Sequence, residues 1–167
     1  MSEDRSMPVT SSHHLIVEQM EALGRLELVR YYLKDIVEHT ERIKWWPFDP
    51  KAILIVSGEV VGCLDLSRID SADIQVFDDR IEVLLPEPEI CYTKVDHQQS
   101  RVYDISNLSN KQDAALIDEA YKVAERKIEE GALEARLLEQ TKMNARGILG
   151  PILETLTSKR VVLRFKD

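Results

Sequence analysis

The chain has 167 residues, 44% of them hydrophobic and 31% charged. This is a globular composition, large enough for one compact domain with a core and too small for two ordinary ones. Thirty acidic residues against 22 basic ones give a net charge of −8. The basic residues are dispersed singly or in pairs, which argues against binding to nucleic acids or to anionic lipid.

The N-terminal region changes character at Leu15. Residues 1–14 are polar and aperiodic, which predicts a disordered tail followed by a single domain over residues 15–167. From Leu15 to Leu23, apolar residues recur at spacings of three and four, and Gly24 follows. This pattern predicts a short amphipathic helix that ends at the glycine.

The next segment favours a strand and then a loop. Over residues 26–44, Val, Ile and Tyr alternate in part with charged residues, which predicts a long strand. The two prolines of the 45–50 segment end it. Three aromatic residues follow one another closely between Trp45 and Phe48. We prefer burial of this group on the core, and the alternative is an exposed anchor for a partner or a lipid interface.

Two β-hairpins are predicted in the middle of the chain. The first pairs residues 52–56 with residues 59–66 through a turn at Ser57-Gly58, and the second pairs 73–77 with 80–85. Another strand is expected between residues 90 and 105, and a loop over 106–110. Turn, bulge or cap roles are assigned to five residues: Gly58, Gly62, Asp65, Ser67 and Pro86.

The last third has helical periodicity. It predicts one long helix over residues 112–143, a shorter helix started or kinked by Gly150-Pro151, and a final strand over 161–165. The predicted fold class is therefore α+β, with antiparallel β-hairpins in the N-terminal two-thirds packed against a long C-terminal helix and a short closing strand.

The 112–143 helix is also the predicted contact for a homo-oligomer or a protein partner. Its stripe is rich in alanine, so another backbone could approach closely. Leu116, Val123, Leu133 and Leu137 lie on adjoining faces and need cover from a second element. The alternative is that the following helix of the same chain supplies that cover.

Cys63 and Cys91 lack the spacing of a metal or redox motif. We expect buried thiols, and one structural disulfide is the alternative. The four histidines, at positions 13, 14, 39 and 97, show no metal-ligand spacing. No metal and no cofactor are therefore expected.

The densest polar stretch runs from Asp96 to Tyr103. As a strand it would place neighbouring side chains on opposite faces, so adjacent residues cannot form a catalytic triad. A hydrolase with His97 as base is thus the least favoured hypothesis, and replacing His97 by Ala is expected to leave function within a small factor. The segment could instead bind a small molecule or a peptide, through Asp96, His97, Gln99, Arg101 and Tyr103.

Several segments together resemble the uncharacterised family catalogued as domain of unknown function 4230. The resemblance spans residues 20–167 and rests on Leu26-Glu27-Leu28, on Gly62-x-x-Asp65-Leu66-Ser67 within residues 58–69, on Leu85-Pro86, on the helix over 119–146 and on the strand over 161–165. The order of hairpins and helix is also similar, as a pattern only, to the stomatin/prohibitin/flotillin (SPFH) domain.

The resemblance implies a domain that lies outside the cytoplasm behind one N-terminal membrane helix. The segment before Leu15 has no spanning stretch, so membrane attachment is expected only through a segment absent from this chain. The family supplies no catalytic residue. The favoured function is a non-catalytic interaction or scaffold domain.

Overall fold

The computed structural model describes residues 9–45, 47–107 and 113–167. The elements of these ranges follow in chain order: α1 Val9–Leu23, β1 Arg25–Thr40, β2 Lys51–Asp65, β3 Ile74–Val76, β4 Arg80–Leu85, β5 Glu89–Val95, β6 Arg101–Ser106, α2 Asp113–Glu134, α3 Leu137–Thr157 and β7 Arg160–Phe165. Strands dominate the middle and helices the end, so the predicted α+β class is confirmed.

The chain forms two compact units, each assembled from separate segments. Unit 1 takes the described residues of Met1–Val29, Gly62–Glu89 and Leu138–Asp167, and unit 2 takes Arg30–Val61 and Ile90–Leu137. A single domain over residues 15–167 stays a prediction.

Unit 1 is organised around a three-stranded sheet of order β3-β4-β7. β3 and β4 pair antiparallel, with Ile74 opposite Val83, and this confirms the second predicted hairpin. β7 confirms the predicted closing strand and pairs parallel with β4, with Ile81 opposite Val161. The core combines this sheet with α1, α3 and the end of β2, through Ile16, Val17, Met20, Leu64, Leu66, Ile69, Ile74, Ile81, Val83, Leu85, Ala145, Leu149 and Leu153.

The start of α1 lies earlier than predicted. The helix begins at Val9 and ends before Gly24, whose φ of +61° and N–H bond to the Glu21 carbonyl (3.0 Å) form the expected stop. The tail predicted over 1–14 is therefore wrong for residues 9–14, and residues 1–8 lie outside the described residues.

The four-stranded sheet shows that the first predicted hairpin is wrong. β2 is one continuous strand, and its neighbours are β1 on one side and β5 and β6 on the other. β6 pairs antiparallel with the first residues of β2, from Lys51 opposite Ser106 to Ile55 opposite Arg101. Ser57-Gly58 therefore lies within the strand, because the hydrogen bonds of the sheet outweigh a local preference for a turn.

Gly58 is needed for close packing and not for a turn. A Cβ added there would lie 2.8 Å from the Lys94 carbonyl oxygen and 3.1 Å from Cγ2 of Ile128. Both distances are shorter than ordinary van der Waals contact, so only glycine lets β5 and α2 approach β2 so closely.

The helix predicted over 112–143 is divided in two. Ala135 and Arg136 separate α2 from α3, and Arg136 has a φ of +63°. The Arg136 N–H bonds to the Leu133 carbonyl at 2.9 Å, which closes the end of α2. α3 then continues through Pro151, so the second helix is longer than expected and does not start at the Gly150-Pro151 pair.

Gly58→Ala is expected to lower the free energy of unfolding by about 1–3 kcal/mol, because the new methyl group overlaps a backbone carbonyl that cannot move aside. The control is Gly147→Ala in α3, where a Cβ meets nothing within 4 Å. That change should stabilise by about 0.5–1 kcal/mol through helix propensity. Urea unfolding at neutral pH measures both, and equal stability of the two variants would contradict this account.

Candidate functional sites

In unit 1, the Gly62-x-x-Asp65-Leu66-Ser67 motif builds an ion network. Asp65 ends β2 and caps the short 3-10 turn Leu66–Arg68 by accepting the Ser67 N–H at 3.2 Å. Its other oxygen lies 3.2 Å from Nε of Arg68 and 3.7 Å from Arg25. Both arginines also contact Glu89, at 3.3 and 3.0 Å. Two carboxylates and two guanidinium groups thus hold the ends of three strands.

These contacts govern the titration of Asp65. The Ser67 hydroxyl donates a hydrogen bond to the carboxylate and is the main reason why the pKa of Asp65 lies below its usual value. The positive charges of Arg68 and Arg25 act in the same direction, and partial burial opposes them. The charged carboxylate is therefore the form that the folded state stabilises.

Gly62 and Pro86, to which the sequence analysis also assigned turn, bulge or cap roles, are both buried. Gly62 is buried within β2, and Pro86 is buried directly after β4, where the preceding Leu85 carbonyl accepts the Lys166 N–H at 2.8 Å. None of these positions is arranged around a reacting group, and together they shape and terminate strands.

In unit 2, the polar segment from Asp96 to Ser100 is a turn and not part of a strand. It interrupts the edge formed by β5 and β6 opposite Ser57 of β2. The Asp96 N–H donates to the Ser57 carbonyl at 2.8 Å, and the Ser57 N–H donates to Oγ of Ser100 at 3.0 Å. The prediction of alternating faces across this segment is therefore wrong for its first half.

Asp96 and Ser100 make further hydrogen bonds within the turn. Oδ1 of Asp96 accepts the N–H groups of Gln98 and Gln99, at 2.9 and 3.3 Å, and the Ser100 hydroxyl donates to the Asp96 carbonyl at 2.6 Å. The exposed His97 ring packs against Tyr121 of α2, with 4.9 Å between ring centroids. Asp96 and Ser100 thus have structural roles in closing the turn.

The turn nevertheless borders a cleft of about 600 Å³. Asp96, His97 and Gln99 line it, so the structure brings three of the five predicted binding residues together. Gln99 and Arg101 line an adjoining cleft of about 770 Å³. Tyr103 is 67% exposed and lines neither cleft.

Sequence reasoning missed the residues that other strands contribute to the two clefts. Lys34 lines both clefts, and Tyr32, Glu59 and Lys94 line the first. The alternation of Tyr32, Lys34 and Ile36 along β1 was the available signal. It could not be assigned to a site without knowing which strands are neighbours.

The aromatic loop between β1 and β2 is exposed where it is described. Trp45 is 93% exposed and Phe48 62%, so their expected burial is wrong. Trp46 lies outside the described residues. The loop base is held by the Glu41 N–H bond to the Pro50 carbonyl (2.9 Å) and by Asn107.

The helix face predicted for self-association is buried within the chain. Leu116, Ala120, Ala124, Ala132 and Leu137 are all 0% exposed. Of the four side chains that the sequence analysis expected to need cover, Leu133 is the large one that stays exposed, at 42%. Self-association through this helix stays a prediction.

A different apolar surface is exposed in unit 1, between α1 and α3. Gln19, Met20 and Leu23 of α1 line a groove of about 280 Å³ together with Ile152 and Leu156 of α3. Three large aliphatic side chains that line it are about half exposed, namely Leu23 46%, Ile152 46% and Leu156 54%. Leu15 (51%) lies two turns before Leu23 on α1, and Ile148 (47%) lies one turn before Ile152 on α3. We call this set the α1–α3 surface.

Cys63 and Cys91 are both disulfide-bonded. The expectation of buried thiols is therefore wrong, and the alternative of a structural disulfide applies. Within the ranges 9–45, 47–107 and 113–167, no group of three His, Cys, Asp or Glu residues is placed to hold a metal ion. In the same part of the chain, no helix has the length and apolarity that a bilayer crossing requires.

Comparison with known proteins identifies the family. The model of the family described as protein of unknown function (DUF4230) matches residues 18–162, so the chain belongs to this family. The search of curated proteins and the search of solved structures found no match. None of these comparisons supports the similarity to the SPFH domain.

Asp65→Asn is expected to destabilise the chain at neutral pH, and this loss should shrink on acidification. Because the folded pKa of Asp65 lies below the unfolded value, its contribution is complete above about pH 4 and disappears as the pH falls through the folded pKa. Urea unfolding between pH 7 and pH 2.5 measures the difference from the unchanged chain.

The matched control for that experiment is Asp78→Asn. Asp78 is exposed and has no hydrogen bond or ion pair with any described residue. The Asp78→Asn substitution removes the same formal charge without breaking the network of Arg25, Arg68 and Glu89. An equal loss in both variants at pH 7, or a loss for Asp65→Asn that does not depend on pH, would contradict the role assigned to this carboxylate.

Proposed function

We propose that the protein is a non-catalytic interaction domain that self-associates through the α1–α3 surface. The observation that carries the proposal is the pair of exposed aliphatic ridges beside an apolar groove. A hydrolase centred on His97 is less well supported, because Asp96 and Ser100 are engaged in closing a turn and His97 packs on Tyr121.

The geometry of the α1–α3 surface supports a second copy as its partner. Leu15, Gln19 and Leu23 follow one another at i, i+4 and i+8 along α1, and Ile148, Ile152 and Leu156 do the same along α3. Two such ridges with a groove between them are self-complementary, because a ridge of one copy can enter the groove of the other around a twofold axis.

We expect self-association through the α1–α3 surface to have a moderate affinity. Burying the exposed half of each of the five aliphatic side chains contributes roughly 1 kcal/mol per side chain, or about 10 kcal/mol over two copies. Association itself costs about 4–15 kcal/mol. Glu18 and Glu21 are exposed on α1 near the contact and add some repulsion between copies. We therefore expect assembly at micromolar or higher concentration.

The disulfide supports a location in an oxidising compartment. Disulfides persist outside the cytosol and are rare within it, since cytosolic thiols are kept reduced. We therefore propose an extracytoplasmic domain.

Reduction of the disulfide is expected to lower the free energy of unfolding by about 2–4 kcal/mol, because the reduced unfolded chain gains conformational entropy. Urea unfolding with and without a phosphine reductant measures the change. The Cys63→Ala/Cys91→Ala double variant is the control and should not respond to the reductant. Two free thiols in chain recovered from an oxidising compartment would contradict the disulfide, and with it the argument for this location.

Ile152→Glu is expected to convert an assembled chain to a monomer, because it places a charge in the middle of the α3 ridge. Light scattering coupled to size-exclusion chromatography measures the mass at chain concentrations from about 10 µM to about 1 mM, which span the expected range of association. Ile152 is 46% exposed, so the substitution should leave the fold intact. The matched control is Leu133→Glu on α2, at 42% exposure, which should keep the assembled mass.

Two results would reject self-association through this surface. The first is an unchanged chain that stays monomeric over the whole concentration range. The second is an assembly that Leu133→Glu weakens as much as Ile152→Glu does, since this would place the contact elsewhere or reduce it to a general effect of added charge.

A further inference from the structure

The sheet in unit 2 packs against α2 with one face, and its other face points away from this helix. The Cβ direction of Gly58 points at Ile128 of α2, and that of Gly131 in α2 points at Leu33. Because side chains alternate along a strand, Ser57 and Glu59 lie on the opposite face, as do Tyr32, Lys34 and Ile36 of β1. We call this the outer face.

The two adjoining clefts lie along this outer face. Lys34 and Gln99 line both, so the clefts form one continuous depression across β1, β2 and the edge formed by β5 and β6. Arg101 is the direct cross-strand neighbour of Ile55, which places both side chains on the same face. Tyr32 and Ile36 remain 75% and 68% exposed at the β1 side.

The acidic and basic side chains around the depression differ in whether they already have a hydrogen-bond or ion-pair partner. On the acidic side, Glu59 pairs with Arg30 at 3.2 Å, Asp96 accepts two N–H groups of its own turn, and Asp35 accepts the Ile36 N–H at 2.7 Å. On the basic side, three exposed cations line the depression without an ion pair to any described residue, namely Lys34, Lys94 and Arg101.

We propose that this depression binds an extended acidic peptide segment. In a chain with a net charge of −8, three available cations from three strands converge on one surface that also offers exposed apolar side chains. Carboxylates of the peptide pair with the cations, and its apolar residues contact Tyr32 and Ile36.

The combination of separated cations with exposed apolar side chains favours a peptide over a single small anion. Lys34 and Arg101 stand on strands that flank β2, and neighbouring strands are about 4.8 Å apart, so their backbones are separated by roughly 10 Å. A single phosphate offers no apolar contact to Tyr32 or Ile36, which line the same depression. An extended peptide rises about 3.3 Å per residue, so carboxylates two to four residues apart match the separation.

The experiment is fluorescence anisotropy on the full chain with a labelled heptapeptide that alternates Glu and Leu, at low ionic strength. We expect saturable binding that weakens about tenfold or more when Gln replaces every Glu, and that weakens strongly at high salt. The Lys34→Glu/Arg101→Glu double variant should lose about tenfold or more in affinity.

The control double variant is Lys44→Glu/Arg126→Glu, which makes the same charge change at exposed positions outside the depression. Its affinity should stay within about twofold of the unchanged chain, because distant exposed charges are screened. Circular dichroism of both double variants checks that each is folded.

Four outcomes would overturn the proposal. The first two are no saturable binding and an equal loss in both double variants. The others are displacement of the peptide by millimolar inorganic phosphate and preferential binding of a single-stranded oligonucleotide. The test is independent of self-association, because the depression lies in unit 2 and the α1–α3 surface in unit 1. Ile152→Glu should therefore bind the peptide as the unchanged chain does.

Discussion

The close approach of three elements at Gly58 is the constraint on which unit 2 depends. β2 supplies the strand, the Lys94 carbonyl of β5 lies on one side, and Ile128 of α2 packs on top. A side chain at this position would separate all three. Because β2 stays continuous through Ser57 and Gly58, its inner side chains, such as Leu54 and Val60, are completely buried, and its outer side chains are free to line a surface depression.

The same strand has a second specialised point at Asp65, in unit 1. There the Ser67 cap and the two arginines make a charged carboxylate favourable at the strand end. Both positions thus act on the architecture, Gly58 through close packing and Asp65 through its cap and ion pairs. The family to which the chain belongs is one of unknown function. The surfaces that could recognise a partner are the apolar α1–α3 surface and the outer face of the sheet.

The two surfaces would recognise different chemistry. The α1–α3 surface is apolar and periodic in the manner of helix pairs, whereas the outer face combines lysine and arginine with tyrosine and isoleucine. A domain with one surface for its own copies and another for an acidic segment could assemble and hold a partner at once. This combination is consistent with the proposed interaction role and requires no catalytic group.

Local pattern was sufficient for the C-terminal part and the end of α1, for β1, the β3–β4 hairpin, β7 and the α+β class, because periodicity and glycine or proline punctuation act over a few residues. Tertiary structure decided the rest. Ser57-Gly58 has the composition of a turn but becomes mid-strand, because β5 and β6 both pair along β2. Arg136 interrupts a helical pattern at a positive φ, and no glycine or proline in the sequence marks this position. The cations Lys34, Lys94 and Arg101 are far apart in the chain, and only the order of the strands brings them to one surface.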